Sequence, residues 1–158
     1  MTVIAMVGNK GGAGKTTLAI NLAAGLAGQA NTILVDADPQ GSTAQWRAIS
    51  DDQRAPEVQQ CGDDMRDFVR QLDTQYDYVV VDCPPSVHAP QTHHALEVSD
   101  IALIPVQPSP IDLWATVHIE EAVNQAREVN PDLKVMMIIN QLEPRTILSR
   151  LVQEALTE

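Results

Sequence analysis

The chain is short of basic residues, cysteines and long apolar runs, and each scarcity excludes something. Lys plus Arg number 10 against 21 Asp plus Glu, a formal net charge of −11 over 158 residues. Two of the ten bases, Lys10 and Lys15, share one glycine-rich stretch. Too few remain to coat a broad nucleic-acid face. Two cysteines, Cys61 and Cys83, cannot build a disulfide scaffold and suit a reducing compartment. No apolar run approaches the roughly 18 residues of a membrane span. Residues 1–7 lack a basic leader and run straight into glycines, unlike a secretory signal, so a cytoplasmic setting is expected. His88, His93, His94 and His118 show no metal-ligand spacing, since the adjacent His93 and His94 diverge on a helix. Hydrophobic residues at 44% and charged residues at 20% describe an ordinary globular protein. The length fits one domain covering 1–158.

Continuous apolar runs alternate with stretches of helical period. Residues 2–7, TILVD at 32–36, YVVVD at 78–82, IALIPV at 101–106 and VMMII at 135–139 read as strands, with a weaker one at 57–60. Runs without polar alternation suit a parallel sheet covered by helices on both faces. A small apolar helix is expected over 16–26. Further helical faces are marked by Met65, Phe68, Val69 and Leu72; by Ile111, Ala115, Ile119, Ala122, Ala126 and Val129; and by Ile147, Leu148, Leu151, Val152 and Ala155. The expected fold is α/β, an open, doubly wound, mainly parallel sheet flanked by helices.

The strongest chemical signal is KGGAGKTT at 10–17, between a strand and a helix. Such a loop offers successive backbone N–H groups to phosphate oxygens, and its glycines permit the φ angles and close approach this requires. The helix that follows adds its positive end. Lys15 is expected to neutralise the β/γ-phosphates and the Thr16 hydroxyl to ligate Mg²⁺, as in a P-loop. The usual pattern G-x-x-x-x-G-K-[ST] has glycine where this chain has Asn9, and a second lysine, Lys10, opens the loop. Asp36 and Asp38 stand at the end of the second strand and Asp82 ends the YVVVD strand. Ligands of open α/β sheets bind beyond the carboxyl ends of the strands, so all three carboxylates are expected to face the loop's phosphates. Cys83, after Asp82, and Trp114 read as packing residues. Ser109-Pro110-Ile111-Asp112 reads as a helix start with N-cap, proline at N1 and a capping-box acid.

KGGAGKTT, VDADPQGS at 35–42 and VVVDCPPS at 79–86 resemble the deviant Walker A ATPases of the ParA/MinD class, and within it the small ParF-type plasmid partition ATPases. STAQW at 42–46 and PVQPSPID at 105–112 agree. The resemblance implies binding of ATP or ADP with Mg²⁺, slow partner-stimulated hydrolysis, and segregation of plasmid or chromosomal DNA. It assigns Lys10 to the nucleotide of a partner subunit across a two-fold axis. Gly11, Gly12, Ala13, Gly14, Lys15, Thr16 and Thr17 fall to the nucleotide of their own subunit. Asp38 matches the aspartate that positions the attacking water, Asp36 supports the Mg²⁺ shell, and Asp82 holds Mg²⁺ largely through water. Asn140 sits where the family often reads adenine.

The implied partners are a second copy of the chain, as dimer or higher polymer, and a centromere- or cargo-binding adaptor. Non-specific DNA, and with it a nucleoid-associated location, belongs to the full-length form of such proteins. Family members continue past the helix expected at 145–156 with another strand and C-terminal helices. The sequence ends at Glu158 and is expected to lack them. Arg145 and Arg150 read as a solvated helix face rather than a DNA patch. Positioning of an organelle or receptor array shares every motif here. A MinD-like membrane-surface role calls for a basic amphipathic end, whereas 145–158 carries two arginines with Glu154 and Glu158. A metabolic synthetase of related loop architecture calls for added substrate-binding residues.

Overall fold

The computed structural model describes residues 1–61, 64–142 and 146, with 110–116 described by backbone alone. Its elements run β1 (Thr2–Met6), α1 (Lys15–Ala27), β2 (Thr32–Asp36), α2 (Ser42–Ile49), β3 (Glu57–Gln60), α3 (Met65–Leu72), β4 (Tyr78–Asp82), α4 (Pro90–Val98), β5 (Ile101–Val106), α5 (Pro110–Val129) and β6 (Lys134–Ile139). All strand pairs are parallel, in the order β3-β2-β4-β1-β5-β6.

Period-two alternation sorts the strand side chains between two cores. Val3, Ala5, Ile33, Val35, Val79 and Val81 face α3, α4 and α5, which bury Met65, Val69, Leu96, Ile119 and Ala122 against them. Met6, Leu34 and Val80 face the opposite way, onto Ala19 and Ala23 of α1. Burying each Val or Leu contributes about 1.5–3 kcal/mol relative to exposure. The central strands are therefore fixed by both faces.

The edges are different. β3 is polar and half exposed, which accounts for its weak sequence signal. On β6, Met136 is 56% and Met137 45% exposed, so the double cover expected for VMMII does not hold there among the described residues. Val129, expected on the apolar face of α5, is 56% exposed as that helix's last residue. Pro110 opens α5 as expected, but Ser109 makes no side-chain cap hydrogen bond. Asp112 and Trp114 lie outside the described side chains. The helix marked by Ile147 to Ala155, Arg145 and Arg150 lie outside the described residues. Apolar periodicity marks neither α2 nor α4. The buried residue of α2 is the polar Thr43, and α4 carries three polar residues in its first half.

The strand order places a crevice. The chain moves from β1 to one side, through β2 and β3, then passes from β4 across β1 to β5 on the other. Connections diverge at the carboxyl end of β1, the position where open α/β sheets bind ligands.

Candidate functional site: a phosphate loop at the sheet's switch point

The loop leaving β1 is held open by its glycines. Gly12 and Gly14 have φ of 81° and 89°, a region that L side chains rarely adopt. At Gly14 a Cβ would also run into the Asn140 carboxamide. Gly14 is the residue before α1 and accepts from Leu18 N at 2.9 Å. The amides of the loop and the helix's positive end therefore converge.

Lys15 runs over Gly8, where a Cβ would meet its Cδ at 3.4 Å. The side chain is buried, and its Nζ donates to Lys10 O at 3.0 Å. Lys10 turns its carbonyl inward to take that bond, and its own side chain is exposed and does not line the cleft. The two lysines are thus segregated, one inside and one out.

A cleft of about 330 Å³ lies over this loop, bounded by Gly11, Gly12, Gly14, Lys15, Thr16 and Thr17. Its other walls are Asp38, Cys83, Pro85 and Gln141. Of the three carboxylates expected to face the phosphates, only Asp38 lines it. Asp36 and Asp82 are each 1% exposed beneath the floor. Asp36 accepts backbone N–H bonds on both oxygens, from Asp38 at 3.2 Å and from Ala44 at 2.9 Å. It braces the segment that carries Asp38 rather than facing the cleft. Asp82 Oδ2 accepts from the Thr43 hydroxyl at 2.6 Å, while Oδ1 is buried with no hydrogen-bond partner.

Asn140, assigned to adenine by resemblance, is engaged elsewhere. Its Nδ2 donates to Ala13 O at 2.9 Å and its Oδ1 accepts from Gln141 N at 3.0 Å. It supports the phosphate loop from behind, and the neighbouring Gln141 takes the cleft wall. Gln107, beyond β5, ties the two together by donating to Gly12 O at 3.1 Å and to Gln141 Oε1 at 2.6 Å. Asn9, standing where glycine is usual, accepts from Val87 N at 3.4 Å and links the phosphate loop to the one after β4. Neither Thr43 nor Gln107 carries a site signal of its own in the sequence. Both lie in stretches valued only for their resemblance, and a strand end before Gln107 was the available clue.

Burial pushes Asp82 above the ordinary carboxylate range, and the hydroxyls of Thr43 and Thr16 with the Lys15 ammonium pull it only partly back. Burial also raises Asp36, against the N–H bonds from Ala44 and Asp38. Lys15 moves the other way, lowered by burial despite attraction to Asp82. Dehydration thus outweighs mutual attraction for cation and carboxylate alike, the signature of charges awaiting further partners. An anion over Lys15 and a cation by Asp82 Oδ1 would supply them. Among the described residues no three His, Cys, Asp or Glu side chains group to hold a metal. Mg²⁺ commonly binds through one or two carboxylates plus substrate phosphates. Thr16 and Asp82 fit such an ion. Cys83 contributes to the cleft wall but is only 2% exposed, and that burial pushes its thiol far up, as suits a packing residue rather than a reactive one.

The raised carboxylates set a pH dependence. A group whose folded pKa exceeds its unfolded value keeps its proton longer in the folded state, so stability falls as pH rises from the ordinary carboxylate range through the raised value. The ligand-free protein is expected to melt higher in mildly acidic than in neutral solution. Asp82→Asn should flatten that slope and raise the neutral-pH melting temperature, as read by calorimetry across pH. A steeper slope in the variant would contradict the burial argument.

Comparison with known proteins agrees with this geometry. Residues 4–158 match the family model described as the CobQ/CobB/MinD/ParA nucleotide binding domain. The chain is 40% identical over 153 residues to the maintenance of carboxysome distribution protein A of Halothiobacillus neapolitanus, covering 95% of this chain and 71% of that one. It is 32% identical over 180 residues to the chromosome partitioning protein ParA of Myxococcus xanthus, covering 87% and 63%. In fold it is similar to cobyrinic acid a,c-diamide synthase from Mycobacterium smegmatis crystallised with an ATP analogue and magnesium, with a TM-score of 0.85 at 22% identity over 99% of this chain and 79% of that one. A plasmid partition protein from Borrelia burgdorferi gives 0.77 at 22%, covering 99% and 85%. The chain spans 71%, 65% and 63% of three curated relatives it matches. No helix among the described residues is long and apolar enough to cross a membrane. The doubled-lysine phosphate loop at the switch point, the buried strand-end carboxylates and the match over residues 4–158 place this chain in the ParA/MinD family of P-loop nucleotide-binding ATPase domains.

Proposed function

We propose that this chain is a Mg-ATP-dependent ATPase that dimerises with the triphosphate, hydrolyses it slowly under the stimulus of an adaptor, and thereby segregates or positions plasmid or chromosomal DNA. The observation that carries this reading is the segregation of the two lysines: Lys15 is buried in the cleft and Lys10 is exposed outside it. One cation serves the nucleotide of its own subunit. The reading assigns the other, exposed outside the cleft, to the nucleotide of a second subunit. Lys15, the loop amides and Thr16 would bind the phosphates, Thr16 and Asp82 would hold Mg²⁺ to neutralise them, and Asp38 would hold the attacking water.

A second reading changes the cargo and keeps the chemistry. The 40% identity to a protein named for maintenance of carboxysome distribution, against 32% to the chromosome partitioning protein, favours carboxysomes as cargo. The synthetase reading has behind it a likeness of fold at 21–22% identity and a family model that spans CobQ/CobB as well as MinD/ParA.

Phosphate release from ATP and Mg²⁺ tests the reading. Asp38→Asn is expected to lower the rate about 100-fold or more, the scale of a lost acid–base or water-orienting group, with ATP affinity little changed. Undiminished release by that variant would remove Asp38 from the chemistry. Amidation of a small organic acid by the wild type would favour the synthetase.

A further inference from the structure

The first turn of α2 is pinned by both buried carboxylates. Asp36 Oδ2 accepts from Ala44 N at 2.9 Å, and Asp82 Oδ2 accepts from the Thr43 hydroxyl at 2.6 Å. Thr43 is fully buried, so that bond forms where water does not compete and a misplaced partner is costly. Its consequence is a division of labour on one side chain. Oδ2 of Asp82 belongs to α2, and Oδ1 is the buried oxygen with no partner. Asp36 divides likewise, Oδ2 to α2 and Oδ1 to the backbone N of Asp38. Asp38 and α2 are therefore held by the same pair of buried carboxylates.

We propose that Thr43 is a positioning residue of the cation site: its hydroxyl fixes the Asp82 carboxylate so that Oδ1 serves the Mg²⁺ shell, and it makes α2 respond to that shell. The inference rests on the Mg-ATP reading above. It assigns α2 a task that its sequence does not advertise, transmission of nucleotide state from the cleft to an exposed helix. A hydroxyl–carboxylate bond behind a metal ligand fixes the ligand's orientation and charge, and losing such a partner typically costs 10–100-fold in metal affinity.

The test compares wild type, Thr43→Val and Thr43→Ser for binding of a fluorescent ATP analogue as Mg²⁺ is titrated, with binding in EDTA as reference. Valine keeps the shape and removes the donor. It is expected to raise the half-maximal Mg²⁺ concentration about 10-fold or more and to leave binding in EDTA unchanged, while serine restores the wild-type midpoint. A valine variant titrating at the wild-type midpoint, or a serine variant shifted as far as valine, would overturn the proposal. Trp46 on α2 gives a readout that needs no change at Thr43. In a Trp114→Phe background, Mg²⁺ added to the analogue complex is expected to change Trp46 emission, and constant emission would refute the coupling. A wild type indifferent to Mg²⁺ would instead defeat the Mg-ATP reading itself.

Discussion

Lys10→Ala is expected to bind ATP as a monomer with near wild-type affinity and to lose the ATP-dependent dimer. The reason begins with charge. Each chain carries a formal −11, and each bound triphosphate adds to it, so two loaded copies brought face to face repel. A lysine from each copy over the other's phosphates offsets that repulsion with charge-assisted hydrogen bonds. A two-fold interface uses every contact twice, and one substitution therefore removes both lysines. At about 1.5–3 kcal/mol for each hydrogen bond to a charged group, the pair comes to about 3–6 kcal/mol, roughly 150-fold to 10⁴-fold in the dimer constant. The exposed Lys10 side chain does not line the cleft, which is why monomer affinity is spared. Light scattering with ATP and Mg²⁺ reads the difference. A variant that still doubles its mass from 17.2 kDa would show that another contact joins the copies.

Lys15→Met separates binding from folding in the opposite sense. The Lys15 ammonium is buried, and its ligand-free hydrogen bond goes to Lys10 O at 3.0 Å. Removing one partner of a buried, charged hydrogen-bonded pair costs about 2–5 kcal/mol, so nucleotide affinity should fall roughly 30-fold to several thousand-fold. Stability of the free protein should change far less than nucleotide affinity. Burial already lowers the Lys15 pKa against the pull of Asp82, which means the dehydrated charge is a burden until an anion arrives. Methionine lifts that burden, while Asp82 loses its nearby cation and Lys10 O its donor, so the two effects oppose each other and the melting temperature is expected to stay near wild type. Titration calorimetry and melting of the free variant check the two halves. A strong loss of melting temperature with binding preserved would reverse the assignment.

The residues that announced themselves in sequence did so by spacing. Lys15 and Thr16 follow Gly14 at the start of α1, Asp82 ends β4, and Asp38 lies two residues beyond β2. The central strands were equally plain, because Leu34 and Val80 on one face and Val35 and Val81 on the other are all buried. What escaped was contact between distant elements. Thr43 is 39 residues from Asp82, and its helix offers no apolar stripe because its single buried residue is a polar one. Asn140 was read for its family position, but its carboxamide is 127 residues from the Ala13 carbonyl that it holds. Asp36 looks like a ligand at a strand end, yet its two oxygens are taken by nearby backbone N–H groups. A carboxylate's identity is written in the sequence. Which donors satisfy it is decided by folding.

The most direct test of the lysine sandwich is a crystal structure grown with a non-hydrolysable ATP analogue and Mg²⁺. Two protomers should face each other, with each Lys10 ammonium about 2.7–2.9 Å from a phosphate oxygen on the partner's nucleotide. A loaded cleft whose Lys10 points into solvent, with no second protomer opposite, would contradict it.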